Sequence, residues 1–198
     1  MARVTIQPTA VDKAIANAIA AHTTPGIEHV ACFLTWGADE KLLLAIAALG
    51  RLYAVHRPAL RPITNHLLAA SLLGAVLPHL LKAEIDQTRP DRLTTTGHLR
   101  GVPFSGRSRD AFPSGHALHM GVLASAASLF PPMQRRCARG FAILLSATRI
   151  LLLAHWASDV VIGFAAGALL ERLIRPITLG RARKHVPARA QRDMSPGS

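Results

Sequence analysis

The chain has 198 residues, enough for one domain with a substantial core. Half of the residues are hydrophobic (50%), and the charged share of 17% lies below the roughly 25% of an ordinary soluble domain. The formal net charge of +12 indicates an anionic partner, while a single Tyr without basic–aromatic interleaving argues against a nucleic-acid platform, and two distant cysteines imply neither a zinc site nor a disulfide framework.

The first 27 residues are predicted to hold a short amphipathic helix. Val11, Ile15, Ala18 and Ile19 recur at helical spacing with polar residues between them. Such a helix lies either on a membrane surface or on the protein as an ordinary surface helix. Charged and polar residues interrupt the segment, so it lacks the apolar stretch of a secretory signal.

Five apolar helical blocks follow in a predicted membrane domain of residues 28–178, after a shorter apolar piece, Val30–Trp36. The blocks run over residues 41–56, 64–81, 116–130, 138–154 and 159–174. Each block is short or interrupted against the ~20 apolar residues of a clean membrane span, so hydropathy alone also allows a soluble helical bundle. Gly163 and Gly167 form a GxxxG in the last block, which permits close helix contact.

The basic residues of the loops favour the membrane interpretation. They form three groups, at Arg57 and Arg61, at Arg135, Arg136 and Arg139, and at Arg172, Arg175, Arg181, Arg183, Lys184, Arg189 and Arg192. A five-span zigzag places all three groups on one side of the membrane, which is the positive-inside pattern. The predicted fold class is therefore all-α, an integral membrane bundle of about five transmembrane helices plus the short N-terminal helix. Residues 179–198 are predicted to be a basic, disordered cytoplasmic tail.

The same zigzag brings three polar stretches to the opposite end of the helices. They are KAEIDQTRP after block two, PSGH at the start of block three and TRILLLAHWASD between blocks four and five. Lys82, Arg89 and Arg149 have few acidic partners there, and an arginine fork matches phosphate oxygens. Arg149 also interrupts an apolar run, which is costly in lipid unless the side chain faces a polar cavity.

The stretch PSGH is predicted to begin a helix that binds an anion. Ser114 is a candidate N-cap, and the backbone N–H groups of Gly115 and His116 would then point at the anion. Gly115 would let the backbone approach a ligand closely. His119 lies one turn after His116, but no carboxylate stands at a suitable spacing for a metal pair, so we assign it to packing. We expect no metal or cofactor.

Two histidines and a carboxylate complete the candidate site. Asp159 lies four residues after His155 and is predicted to fix its tautomer, which leaves the other ring nitrogen free to attack. His116 is suited to protonate a leaving oxygen. Each residue alone also has a structural explanation, as a histidine at a helix end or an arginine anchored at an interface. Together they predict phosphoryl transfer through a phosphohistidine, in which cations do the charge work.

These motifs resemble those of the type 2 phosphatidic acid phosphatase (PAP2) superfamily, whose pattern is Lys-x6-Arg-Pro, Pro-Ser-Gly-His and Ser-Arg-x5-His-x3-Asp. The matching residues are Lys82 with Arg89 and Pro90, then Pro113 to His116, then Arg149, His155 and Asp159. Two positions depart from the pattern, since Thr148 replaces the usual Ser and Ala157 stands where Pro is frequent. The short length and five spans are similar to bacterial undecaprenyl-pyrophosphate phosphatases of this superfamily.

The resemblance implies a metal-independent phosphatase of lipid phosphates or diphosphates, in the plasma (inner) membrane with its site facing the periplasm. It implies His155 as nucleophile, Asp159 as its orienter and His116 as acid. The phosphate-binding residues it implies are Lys82, Arg89, Ser114, Gly115 and Arg149. A lipid phosphotransferase would use the same site. A non-catalytic membrane protein and a vanadium-dependent oxidase are further alternatives.

The loop of residues 91–112 carries several arginines on the outer side, against the positive-inside trend. One hypothesis is that Arg92, Arg100, Arg107 and Arg109 gather an anionic headgroup or a second phosphate. The alternative is simple solvation of a surface loop. The sequence also leaves open whether Arg109 and Asp110 select the lipid or pair with each other.

Overall fold

The computed structural model describes residues 4–90 and 109–183. Its helices are α1 (Ala10–His22), α2 (Pro25–Thr35), α3 (Glu40–Tyr53), α4 (Arg61–Glu84), α5 (Gly115–Ala126), α6 (Pro132–Leu151) and α7 (Ala157–Arg183). Short 3₁₀ turns follow α2, α3 and α5, at Trp36–Ala38, Ala54–His56 and Ala127–Leu129. Strands β1 (Val4–Thr5) and β2 (Ile85–Asp86) form a two-stranded parallel sheet.

The five predicted apolar blocks are five helices, α3 to α7, and the N-terminal helix is α1. The chain turns back at the end of each block, so the three polar stretches meet at one end of the bundle, as the zigzag predicts. Of the helices in the described ranges, α4 alone is long and apolar enough to cross a membrane by length and composition. The all-α architecture is therefore confirmed, while the number of helices that span a membrane remains a prediction.

The last helix is longer than its apolar pattern. Helix α7 continues to Arg183, so residues 179–183, which the sequence assigns to a disordered tail, are helical. Side-chain hydropathy ends before the backbone hydrogen bonds do, because basic residues are themselves good helix formers. The remainder of the predicted tail lies outside the described residues.

Helix α5 is the centre of the bundle and crosses α7 at very short range. Nine of its residues are buried. A Cβ added at Gly163 would lie 2.6 Å from the Ser114 carbonyl oxygen, and one at Gly167 would collide with the Leu118 carbonyl oxygen. Gly121 on α5 meets the Phe164 carbonyl oxygen in the same way. The close helix contact predicted from the GxxxG is confirmed, with a third glycine on the facing helix.

Large apolar side chains cover much of the outer surface. Phe33, Leu49, Val76, Ile143 and Leu173 are all more than half exposed, on five different helices. Polar side chains lie inside the bundle, where His66 and Glu171 are fully buried. Exposed apolar surface of this extent is unusual for a soluble monomer and suits a lipid environment.

A buried polar network joins α4, α5 and α7 at the end opposite the polar stretches. Glu171 accepts hydrogen bonds from Ser125 and Arg175, and its Oε1 lies 2.8 Å from His66 Nε2. His66 Nδ1 lies 2.6 Å from the Thr178 hydroxyl. All the hydrogen-bonding sites of the Glu171 carboxylate are thus used, which is what a buried charge requires.

The N-terminal segment docks on the bundle at the end where the polar stretches meet. Strand β1 pairs with β2, and α1 packs Ala16 against Trp156. Asp12 caps α1 with Thr9 and also accepts hydrogen bonds from the Ser158 N–H and hydroxyl, each at 2.9 Å. Burial raises the pKa of Asp12, but these hydrogen bonds outweigh it and leave the pKa below its usual value. Helix α1 therefore holds the first turn of α7.

Candidate active site

A cavity of about 420 Å³ opens at the end of the bundle where the three polar stretches meet. Six of the predicted site residues line it, namely Lys82, Arg89, Gly115, His116, Arg149 and His155. The remaining lining residues are Thr35, Trp36, Asp39, Glu40, Pro78 and His79. Residues that are more than seventy positions apart in sequence thus share one pocket. Two predicted site residues, Ser114 and Asp159, are fully buried and do not line it.

Arg149 brings a charge into this cavity, and no carboxylate of residues 4–90 or 109–183 forms an ion pair with it. It stands in the last turn of α6 and is 5% exposed. Its Nη1 donates to the Thr35 hydroxyl at 3.1 Å, and its Nε is buried with no hydrogen-bond partner among the described residues. A buried guanidinium in this state favours an anion as its partner.

Lys82 and Arg89 share one carboxylate, that of Asp110. Arg89 donates to Asp110 Oδ1 through Nε at 3.2 Å and through Nη2 at 2.7 Å, and Lys82 Nζ lies 3.8 Å from Asp110 Oδ2. Arg109 lies 3.7 Å from the carboxylate of Asp86. Arg109 and Asp110 therefore pair with other residues and not with each other. The other loop arginines, at positions 92, 100 and 107, lie outside the described residues.

The start of α5 has the predicted form. The Ser114 hydroxyl accepts from the Ala117 N–H at 3.4 Å, a long N-cap hydrogen bond, and the Ser114 N–H donates to the Asp159 carbonyl oxygen at 3.3 Å. Ser114 is fully buried and does not line the cavity, whereas Gly115 and His116 do. The N-cap role is confirmed, and contact of Ser114 with phosphate stays a prediction.

His155 is presented by a sharp turn between α6 and α7. Leu153 adopts a left-handed conformation with φ of 51°, which a buried, well-packed leucine adopts only at a cost of about 1–2 kcal/mol. His155 Nδ1 lies 2.6 Å from the Ala111 carbonyl oxygen. A carbonyl only accepts, so Nδ1 carries the proton and Nε2 keeps its lone pair. Burial, with Arg89, Arg149 and Lys82 nearby, holds the pKa of His155 well below its usual range.

Asp159 has a different partner from the predicted one. Its Oδ2 accepts from the Trp156 N–H at 2.9 Å and caps the start of α7, while the distance from Oδ2 to His155 Nδ1 is 3.8 Å. The latter distance is too long for a hydrogen bond. Ala111 fixes the His155 tautomer in its place. Sequence reasoning missed Ala111 because any residue type supplies a carbonyl oxygen.

Three further residues take structural positions. His119 is buried, with Nδ1 3.2 Å from the Gly115 carbonyl oxygen, in agreement with a packing role. The Thr148 hydroxyl donates to the Leu145 carbonyl oxygen at 2.6 Å and not into the cavity. Ala157 is the first residue of α7, where the hydrogen bonds to Asp12 and Asp159 supply rigidity without a proline.

The fold and the site together define a helical protein with two histidines and three cations around a cavity of about 420 Å³. The PAP2 superfamily model matches residues 64–183, more than half of the chain. The chain therefore belongs to the PAP2 superfamily, as its motifs predict.

Two curated relatives agree with this assignment. The chain is 38% identical over 103 residues to a lipid A 1-phosphatase of Rhizobium johnstonii and 36% identical over 109 residues to that of Rhizobium etli. These matches cover 52% and 54% of this chain but 42% and 47% of the relatives, so the chain matches about half of their length.

Two solved structures share the fold. Aquifex aeolicus LpxE has a TM-score of 0.69 at 19% identity, with coverage of 86% of this chain and 98% of the other. A PAP2-type phosphatidylglycerolphosphate phosphatase from Bacillus subtilis has a TM-score of 0.63 at 23% identity, with coverage of 90% and 87%.

Proposed function

We propose that the protein is a membrane lipid-phosphate phosphatase that works without a metal through a phosphohistidine intermediate. The observation that carries this proposal is the cavity itself, which gathers His116, His155 and three cations at one end of a helical bundle. Membership of the PAP2 superfamily and the relatives named as lipid A 1-phosphatases support the reaction class.

The proposed reaction has two displacements. In the first, His155 Nε2 attacks phosphorus, the bond from phosphorus to the lipid oxygen breaks, and His116 gives its proton to that oxygen. In the second, water attacks phosphorus and gives a proton to His116, and the nitrogen–phosphorus bond breaks to release inorganic phosphate. Lys82, Arg89 and Arg149 stabilise the charge on the phosphoryl oxygens in both steps.

A lipid substrate is supported by a second, apolar cavity in the bundle. This cavity of about 240 Å³ lies between α3, α4 and α5 and is lined mainly by Leu43, Ile46, Leu67 and Leu123. The same three helices also contribute residues to the catalytic cavity, so they offer a hydrocarbon chain an apolar surface. Lipid A 1-phosphate is the first candidate because of the relatives, with polyprenyl diphosphates and phospholipid phosphates as the alternatives.

We further propose that α3 to α7 cross the inner membrane and that the site faces the periplasm. Two of the three basic groups lie at the end of the bundle away from the cavity, namely Arg57 with Arg61 and the group of Arg135, Arg136 and Arg139. This is the charge distribution of a cytoplasmic face. In this arrangement residues 1–27 form the outer interfacial segment, residues 28–178 the phosphatase domain, and residues from 179 the cytoplasmic end.

The test is a phosphate-release panel on the protein purified in detergent with EDTA. The panel compares lipid A, undecaprenyl pyrophosphate, phosphatidic acid, phosphatidylglycerophosphate and a water-soluble phosphate ester. We expect release from at least one lipid, a loss of at least about 10³-fold in kcat for His155→Ala, and a loss of about 10²–10⁴-fold for His116→Ala.

His22→Ala is the matched control, because His22 is an exposed histidine on α1 away from the cavity, and it should keep full activity. Full activity in His155→Ala would contradict the mechanism. Labelled phosphate that appears in a second lipid, with none free in solution, would identify a phosphotransferase instead.

A further inference from the structure

Asp110 places a negative charge inside a site that is built to hold a phosphate. Its Oδ1 accepts two hydrogen bonds from Arg89, and its Oδ2 lies 3.8 Å from Lys82 Nζ. The side chains of Asp110 and Lys82 are each 21% exposed, and that of Arg89 is 4% exposed. Charges so shielded from water interact more strongly than charges on an open surface.

The three cations of the cavity are thus not equivalent. Arg149 pairs with no carboxylate among the described residues, whereas Arg89 and Lys82 both face Asp110. A phosphate that enters the cavity would pair with Arg149 without competition, but it would compete with the Asp110 carboxylate for Arg89 and Lys82. Since phosphate and carboxylate carry the same sign of charge, each weakens the hold of the cation pair on the other.

The carboxylate is held in place by the backbone around it. Gln87 N–H donates to the Arg109 carbonyl oxygen at 3.2 Å, and Ala111 N–H donates to the Gln87 carbonyl oxygen at 3.1 Å. The carbonyl oxygen of Ala111 in turn accepts from His155. One short segment, residues 109–111, therefore orients the nucleophile with its backbone and the cation pair with its side chain.

We propose that Asp110 is a positioning residue that aims Arg89 and Lys82 at the phosphate position and at the same time lowers the affinity of the site for phosphate, so that inorganic phosphate leaves after each turnover. This inference rests on the proposed function, because it assumes that the cavity binds the phosphoryl group. A site with three uncompensated cations would bind product as strongly as substrate, and such uniform binding adds nothing to kcat.

The experiment measures binding of inorganic phosphate and of vanadate by isothermal titration calorimetry to the detergent-purified protein. Asp110→Asn keeps an oxygen that accepts from Arg89 but removes the charge. We expect its Kd for phosphate to fall by about tenfold, and the inhibition constant of phosphate in the phosphate-release assay to fall with it. Asp110→Glu keeps the negative charge, and its Kd for phosphate should be close to that of wild type.

Asp86→Asn is the matched control. It removes one negative charge from the neighbouring strand, where the carboxylate faces Arg109 and not the cation pair. Its Kd for phosphate should stay within about twofold of the wild-type value. Asp110→Ser removes the same charge with a smaller side chain and should also tighten phosphate binding, so the test holds if Asp110→Asn fails to fold.

Two outcomes overturn the proposal, and they differ. If wild type binds phosphate but Asp110→Asn and Asp110→Ser, the two variants that remove the charge, bind it equally or more weakly, then Asp110 has only a structural role and the proposed function stands. If wild type binds neither phosphate nor vanadate, the anion site is absent and the proposed function fails together with the inference.

Discussion

The tautomer of His155 decides which of its ring nitrogens has a free lone pair. The Ala111 carbonyl oxygen holds the proton on Nδ1, and burial beside three cations keeps the ring neutral by holding its pKa below the usual range. A group with such a lowered pKa gains its second proton only at a pH well below 6.5. At neutral pH His155 is therefore in the form that the proposed mechanism requires.

We expect NMR of protein labelled with ¹⁵N-histidine to show this state directly. The His155 signal, assigned by its loss in His155→Asn, should report a neutral ring with the proton on Nδ1 at pH 6. An exposed histidine such as His22 serves as the internal reference for the spectrum. A His155 ring that carries both protons at pH 6 would contradict the geometry.

At the same scale, the sequence predicted which side chains gather but not all of their hydrogen bonds. Lys82, Arg89, His116, Arg149 and His155 line one cavity because their spacing places each at the end of a helix on the same side of the bundle. The carbonyl oxygen that orients His155 belongs to an alanine, and backbone groups are the same in every residue. Ala111 and His155 are forty-four positions apart, and only the folded chain brings them together. No local sequence pattern could therefore predict this hydrogen bond.

Among the elements, α1 has the most specific attachment. Asp12 accepts hydrogen bonds from both its own helix and the first turn of α7, which carries Asp159 and follows His155 directly. The segment that a hydropathy pattern assigns to a surface therefore supports the turn that carries His155, the proposed nucleophile. Loss of a buried carboxylate with several charge-assisted hydrogen bonds costs more than loss of an exposed cap.

We predict that Asp12→Ala lowers the free energy of unfolding by about 2–4 kcal/mol and also lowers kcat, because the turn at His155 loses its support. Thermal unfolding in detergent and the phosphate-release assay measure the two effects. Thr24→Ala is the matched control, since the Thr24 hydroxyl caps the exposed start of α2. That variant should lose about 1 kcal/mol or less and keep its kcat. Equal effects of the two variants would refute the role of Asp12.

The elements that the sequence predicted well are those with long apolar periodicity. Blocks 64–81 and 159–174 became α4 and α7, and three of these four ends lie within three residues of the prediction, while α7 ends nine residues later than predicted. The sheet of β1 and β2 escaped prediction because each strand has two residues, too few to show an alternation. Glu171 was hidden inside an apolar block, and its partners His66 and Ser125 come from two other helices.

On the scale of the whole molecule, different residues mark the two ends of the bundle. The N-terminal segment and the cavity share one end, because β1 pairs with β2. Arg135, Arg136 and Arg139 begin α6 at the other end. The positive-inside rule then predicts that the N-terminal segment and the cavity both lie on the side of the membrane opposite the cytoplasm.

Impermeant maleimide labelling of intact cells checks this orientation. In a background with Cys32→Ser and Cys137→Ser, we expect Gln7→Cys to react from outside and Gln134→Cys to react only after lysis. Both glutamines are exposed, one beside β1 and one at the start of α6, so they form a matched pair. Labelling of Gln134→Cys in intact cells, without that of Gln7→Cys, would reverse the proposed topology.

The crossing of α5 and α7 has a consequence for the chemistry. His116 stands on one helix and the turn after His155 leads into the other, so the separation of the two histidines depends on how closely the two backbones approach. Gly121, Gly163 and Gly167 define that approach, because a single methyl group at any of them would collide with a carbonyl or force it aside. Three residues without any functional group therefore set the distance between the proposed proton donor and the proposed nucleophile.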